Sequence, residues 1–214
     1  MYRLIPLRAL RKTTGIKIDE ISSSDFPIID GINKIVHSPN SISPGPLKNV
    51  TRPWYRHRGQ NDNLLLLHGK RYIDLYDSKL DKKISLIITP DKIYNNDELL
   101  YDGPAIINWS SGTFHRIASG NDGSISINLV TRKKNFNYIE DINIYDLDTE
   151  TGIFKCISDG YIDKWNTRKD HYKLIKNNGH LESDKIGTLE MFNNQYYLDY
   201  KEFKRRAAAE RSSQ

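Results

Sequence analysis

Two short stretches of the sequence carry side chains that could do chemistry. The first, Tyr55-Arg56-His57-Arg58-Gly59-Gln60-Asn61-Asp62, holds one imidazole and one carboxylate. The second, Ser110-Ser111-Gly112-Thr113-Phe114-His115, holds another imidazole. Histidine and carboxylate are the residue types that ligate transition metals or move protons near neutral pH. Side chains two apart on a strand share a face, so Tyr55 and His57 are expected to point one way and Arg56 and Arg58 the other. After a bend at Gly59, Asp62 opens the apolar run Leu64 to Leu67, and Gly69 ends it in a turn before Tyr72 to Tyr76. In the second stretch a Ser-Ser-Gly turn leads into a strand on which Thr113, His115 and Ile117 share a face.

These side chains need a scaffold, and residues 55–131 supply β signals. Short β-branched or leucine-rich runs recur there: Leu64 to Leu67, Tyr72 to Tyr76, Ile84 to Thr89, Ala105 to Trp109, Phe114 to Ala118 and Ser124 to Thr131. Polar turns separate them, the spacing of a β-sandwich or barrel. Within Ser124 to Leu129, strict alternation puts Ile125, Ile127 and Leu129 on one face and Ser124, Ser126 and Asn128 on the other. Residues 16–50 are rich in turn formers, with Ile32 to His37 the best strand candidate. Beyond residue 135, Ile142 to Leu147, Phe154 to Ile157, Thr188 to Phe192 and Tyr196 to Tyr200 are strand candidates, and Tyr161 to Ile175 could include a helix.

Together the two stretches resemble the cupin superfamily, in its RmlC-like jelly-roll form with degenerate motifs. The first cupin motif has two histidines separated by one residue, an acid four or five residues after the second and a glycine seven residues beyond the acid. His57, Asp62 and Gly69 fall at those spacings, with Tyr55 in place of the first histidine. The second motif, Pro-x-Gly-x-x-His followed by Asn four residues on, meets Ser110, Gly112, His115 and Ser119, so the proline and asparagine are replaced. The resemblance covers residues 50–132. It implies an all-β fold, a cupin-like double-stranded β-helix (jelly-roll barrel) with irregular N- and C-terminal extensions. The expected divisions are an N-terminal extension over 1–50, the barrel over 51–135, an appended region over 136–200 and a basic tail over 201–214.

The resemblance also implies a small-molecule site inside the barrel. Its metal ligands would be His57, Asp62 and His115, a set suited to Fe, Mn, Ni or Zn with positions open to substrate. The first expectation is therefore an enzyme with a divalent-metal centre and His57, Tyr55 and His115 as catalytic residues. The alternative needs no metal. Sugar-nucleotide epimerases and ketoisomerases that look like cupins use a histidine base, often helped by a carboxylate, and a tyrosine acid; His57 with Asp62 and Tyr55 match those roles. A third reading is a ligand-binding or structural barrel without catalysis. The family also implies a homodimer paired through exposed sheet edges.

Composition narrows the partners. The net charge of +5 resides in the ends: the first 12 and last 14 residues hold nine of 32 basic and two of 27 acidic side chains, leaving 23 against 25 in the body. A body without a basic excess argues against a nucleic-acid partner. No apolar run approaches the roughly 20 residues that cross a bilayer, and residues 1–8 lack a secretory apolar region. With one cysteine, Cys156, expected as a buried inert thiol, the chain reads as cytoplasmic. Arg56, Arg58 and Arg116 are expected to be solvated or packed on the outer sheet face, His68 to be exposed, and His171 and His180 to lie at the surface. Trp54 and Trp109 are expected chiefly as sheet and core residues.

Overall fold

The computed structural model describes residues 2–26, 28–159, 174–177 and 180–183. In chain order its strands are β1 (Tyr2–Pro6), β2 (Arg8–Thr13), β3 (Ile16–Glu20), β4 (Gly31–His37), β5 (Ile42–Ser43), β6 (Trp54–His57), β7 (Gln60–Asp77), β8 (Lys82–Ile88), β9 (Lys92–Asn95), β10 (Glu98–Asp102), β11 (Ala105–Trp109), β12 (Phe114–Arg132), β13 (Ile142–Leu147), β14 (Phe154–Asp159), β15 (Leu174–Asn177) and β16 (His180–Ser183). One helical turn, Tyr138–Asp141, precedes β13. No helix among the described residues is long and apolar enough to cross a membrane.

Strands β7 and β12, of 18 and 19 residues, pair antiparallel along most of their length and are the spine of a 12-stranded sheet. The first part of β7 carries β11, which in turn carries β1; its last part carries β8, β9 and β10. Strand β12 carries β6 and β5 along its first part and β4 along its last. Strands β13 and β14 continue the sheet beyond β6. Gly69, at φ 79°, marks where β7 bends, and it lies directly against Gly123 of β12, at φ 71°. A Cβ on Gly69 would collide with the Gly123 carbonyl, so this corner admits only glycine. The ladder register shifts at the same place, between Ser119 and Ser124. Gly69 is therefore a bend within one strand, where the sequence suggested a turn between two.

The bend brings the two parts of the sheet face to face. Leu64, Leu66, Ile107 and Trp109 on one side pack with Ile73, Leu75, Leu86 and Ile88 on the other, closing an all-β jelly-roll barrel around an apolar core. A second cluster, Trp54, Tyr76, Phe114, Tyr145 and Leu147, packs on the opposite face of β6 and β12. Arg56 lies over Phe114 and Phe154, and Arg116 lies over Trp54 while pairing with Asp74 at 2.8 Å, so both arginines pack on the outer face as expected.

The N-terminal 50 residues are more regular than their composition suggests. Strands β1, β4 and β5 belong to the barrel sheet, and β2 and β3 form a separate hairpin. Likewise β13 and β14 join the barrel sheet, and the unit defined by contacts runs from Met1 to Asp163, with Lys164 to Gln214 as a second unit. In that second unit β15 and β16 form an antiparallel hairpin. The strand candidates at 188–192 and 196–200, the possible helix after Tyr161 and His171 lie outside the described residues, apart from β15 at the end of that helical range. Cys156 is exposed, a departure from the buried thiol expected: it lies on β14, which pairs on one side with β13 and is the last strand of the sheet path.

The alternation in Ser124 to Leu129 is present, but the polar face is the one turned inward. Ser124, Ser126 and Asn128 are 2%, 0% and 5% exposed, whereas Ile125, Ile127 and Leu129 are half-buried outside. The cause is a buried cation. Arg71 of β7 is wholly buried and donates through Nε to Ser124 Oγ at 2.9 Å and through Nη1 to Ser126 Oγ at 2.7 Å. Burial lowers its pKa to about 10. A buried guanidinium is tolerable only with acceptors around it, so the serines face inward.

Candidate active site

The four residues singled out from the sequence come together inside the barrel. Tyr55 and His57 project from the same face of β6, with ring centroids 5.9 Å apart. His115, opposite Tyr55 in the β6–β12 ladder, places its ring 5.8 Å from Tyr55 and 4.5 Å from His57. Asp62 enters from the start of β7 and accepts a hydrogen bond from His57 Nδ1 at Oδ2, 2.9 Å away. The turn before β12 is tied to this strand pair: Gly112 N–H donates to the His57 carbonyl at 2.7 Å, Arg56 Nε to the Gly112 carbonyl at 3.1 Å, and Ser111 N–H to Asn61 Oδ1 at 2.8 Å. The two sequence stretches thus hold each other in register.

Two further residues complete the site, and the sequence did not point to either. Asn128 Nδ2 donates to Asp62 Oδ1 at 2.7 Å, and Gln60 Nε2 donates to the same oxygen at 2.9 Å. Both amides are oriented from behind. Asn128 Oδ1 accepts from the Asn63 backbone N–H at 2.8 Å, and Gln60 Oε1 accepts from Arg132 Nε at 3.0 Å. With its oxygen occupied, each amide can present only its NH2 group to Asp62. Asn128 belongs to the inward polar face of β12, which sequence alternation alone cannot tell from an outward one.

Asp62 is 1% exposed, and burial by itself raises a carboxyl pKa; the opposing charge and hydrogen bond of His57, with His115 and Asn128, outweigh it and hold Asp62 well below the usual carboxylate range. It is an anion at neutral pH. An anionic Asp62 accepting from Nδ1 fixes that nitrogen as the one that carries a proton, so Nε2 is the ring nitrogen placed to act as a base. His115 is 4% exposed, and burial and the neighbouring His57 push its pKa down to about 3, against Asp62 and the Thr113 carbonyl acting the other way. It is a neutral imidazole whose Nδ1 meets the Thr113 carbonyl at 3.3 Å.

Candidate ligand atoms of His57, Asp62 and His115 all lie within 4.8 Å of one another, close enough for one ion. The hydrogen bonding does not fit a three-ligand centre. Asp62 accepts N–H donors at both oxygens, one of them from His57 itself, so in this arrangement the carboxylate orients an imidazole. A centre using all three residues would need the His57–Asp62 bond to break.

No protein-family model matches the sequence, and no curated protein matches it. Among solved structures the chain is similar to a dTDP sugar isomerase from Desulfovibrio desulfuricans, at 13% identity over 72% of this chain and 89% of that one, with a TM-score of 0.49. It is similar to a 3,4-ketoisomerase from Thermoanaerobacterium thermosaccharolyticum, solved as a mutant in complex with TDP-4-keto-6-deoxyglucose, at 16% identity over 66% and 85% of the two chains and a TM-score of 0.45. An rmlC epimerase from Mycobacterium tuberculosis matches at 13% identity over 63% and 64%, with a TM-score of 0.45. The structural neighbours of this chain are thus RmlC-like sugar isomerases and epimerases of the cupin jelly-roll fold, at low sequence identity.

Proposed function

We propose that the chain is an isomerase or epimerase that moves a proton beside the keto group of a sugar nucleotide, with His57 as the base and no metal in the reaction. The observation that carries this reading is the bond from His57 Nδ1 to a buried Asp62 anchored by Gln60 and Asn128. Such a pair holds one tautomer, places the Nε2 lone pair for proton removal and stabilises the imidazolium that results. The same arrangement counts against the metal centre, because it uses the carboxylate that the centre would need.

His57 Nε2 takes the proton from the carbon next to the ketone. The C–H electron pair becomes the C=C bond of an enolate, and the carbonyl π pair moves to oxygen. For epimerisation a proton returns to the opposite face of the same carbon and the enolate oxygen re-forms the ketone. For isomerisation the hydroxyl proton on the deprotonated carbon passes to the old ketone oxygen, and a proton delivered to the old carbonyl carbon leaves the new ketone where the hydroxyl was. Tyr55, on the same face of the same strand as His57, is the candidate acid. The ketone substrate class rests on the motif resemblance. The ligand in the Thermoanaerobacterium ketoisomerase complex, TDP-4-keto-6-deoxyglucose, is the first compound to try.

The test is solvent exchange. The protein, incubated with TDP-4-keto-6-deoxyglucose in D2O, is expected to wash deuterium into the carbon beside the ketone, and His57→Gln to lose this by about 10²–10⁴-fold. Binding without exchange in the parent would make the chain a ligand-binding barrel and overturn the catalytic reading.

A further inference from the structure

Trp109 ends β11, pairs across the ladder with Asp62 and is 2% exposed. Its ring centroid lies 5.2 Å from that of His115, within the core cluster that lines the barrel. Its Nε1 is shut off from solvent and makes no hydrogen bond. An indole N–H can only donate, and leaving a buried donor without an acceptor is unfavourable. Folded chains normally seat tryptophan where this group finds a partner. Here it is left over, on a ring that packs beside His115, itself 4.5 Å from the ring of His57.

The other donors near the base already have roles, with Tyr55 as the candidate acid. His57 Nδ1, Gln60 and Asn128 serve Asp62, and His115 Nδ1 faces the Thr113 carbonyl. Proton removal next to a ketone puts negative charge on the ketone oxygen, and in a buried site that oxygen needs a donor.

We propose that the Trp109 Nε1–H is that donor: it binds the keto oxygen of the substrate and stabilises the enolate formed when His57 takes the adjacent proton. The inference rests on the function proposed above and adds the group that receives the charge. The orphaned donor of the free protein becomes a partnered one only when substrate is present, and the bond is strongest in the enolate. Interactions made mainly in the transition state appear in kcat more than in KM.

The test uses the full chain with its three tryptophans labelled at the indole nitrogen. Trp109→Phe assigns the Trp109 resonance. Because that variant also removes core volume, kinetics are read on a second one carrying benzothienylalanine at position 109, which keeps the ring size and replaces N–H with sulfur. With TDP-4-keto-6-deoxyglucose, the Trp109 N–H resonance is expected to move downfield. The sulfur variant should lose about 10²-fold in kcat with KM within about threefold of the parent. If the parent exchanges deuterium while the Trp109 resonance stays fixed and the sulfur variant keeps parental kcat, the donor role is overturned and the His57 base stands. If the sugar nucleotide moves no indole resonance and no exchange occurs, the proposed reaction fails and the donor role fails with it.

Discussion

Replacing Asp62 with asparagine changes one buried atom and tests how His57 is held. Three donors converge on the carboxylate: His57 Nδ1 on Oδ2, and Gln60 and Asn128 on Oδ1, at 2.9, 2.9 and 2.7 Å. In Asp62→Asn, the amide oxygen keeps Gln60 and Asn128, whose NH2 groups are fixed from behind by Arg132 and the Asn63 backbone. The new NH2 group then faces His57 Nδ1. A donor facing a donor is resolved by moving the imidazole proton to Nε2, so the nitrogen meant to accept the substrate proton becomes protonated. The expected loss of exchange activity is about 10²–10⁴-fold, the usual worth of a positioned base. Stability should change little. Three charge-assisted bonds become neutral ones, at about 1 kcal/mol each, and the burial cost of the anion disappears with the charge. The assay pairs the rate of deuterium entry beside the ketone with a denaturant melt, so a folded but inactive variant is recognised. A folded Asp62→Asn protein working within about threefold of the parent would refute the assignment of Asp62 as the group that sets the His57 tautomer.

Other consequences concern the scaffold. Ser126→Ala removes the acceptor of the buried Arg71 Nη1 and is expected to destabilise the fold by about 1–3 kcal/mol, read as a lower urea midpoint with unchanged slope. Burial and the nearby Arg71 lower the His37 pKa from 6.5 to about 4, so the unfolded chain takes up this proton first as the pH falls. The His37 contribution is complete above pH 6.5 and lost on going down to pH 4, and His37→Gln should flatten the stability profile in that window. Among the described residues strand β4 pairs only with β12, and it leaves Ile32 and Val36 at 68% and 62% exposure. If the expected homodimer forms at this edge, sedimentation should give twice the chain mass for the parent and the chain mass for Val36→Lys.

Much of this architecture was legible in the sequence because strand signals are local. The run Ile142 to Leu147 is a strand over the same residues, and Tyr55 and His57 share a face of their strand as period-two alternation predicts, with His115 beside them. What local pattern could not give was the direction of a face. The Ser124–Ser126–Asn128 row looks like a solvated edge, yet it faces inward because Arg71, more than 50 residues earlier, is buried against it. The same blindness hid Asn128 as a partner of Asp62, since its role depends on a pairing 66 residues away. The metal expectation came from residue types at family spacing. Spacing brings the three side chains within reach of one ion but does not say which hydrogen bonds they have already made.

The most direct test of the account is deuterium exchange at the carbon beside the ketone by protein stripped with a chelator and shown by elemental analysis to carry no transition metal. The predicted result is exchange at the parental rate, lost in His57→Gln. Exchange that disappears on stripping and returns with Fe, Mn, Ni or Zn would contradict it and give His57, Asp62 and His115 back to a metal ion.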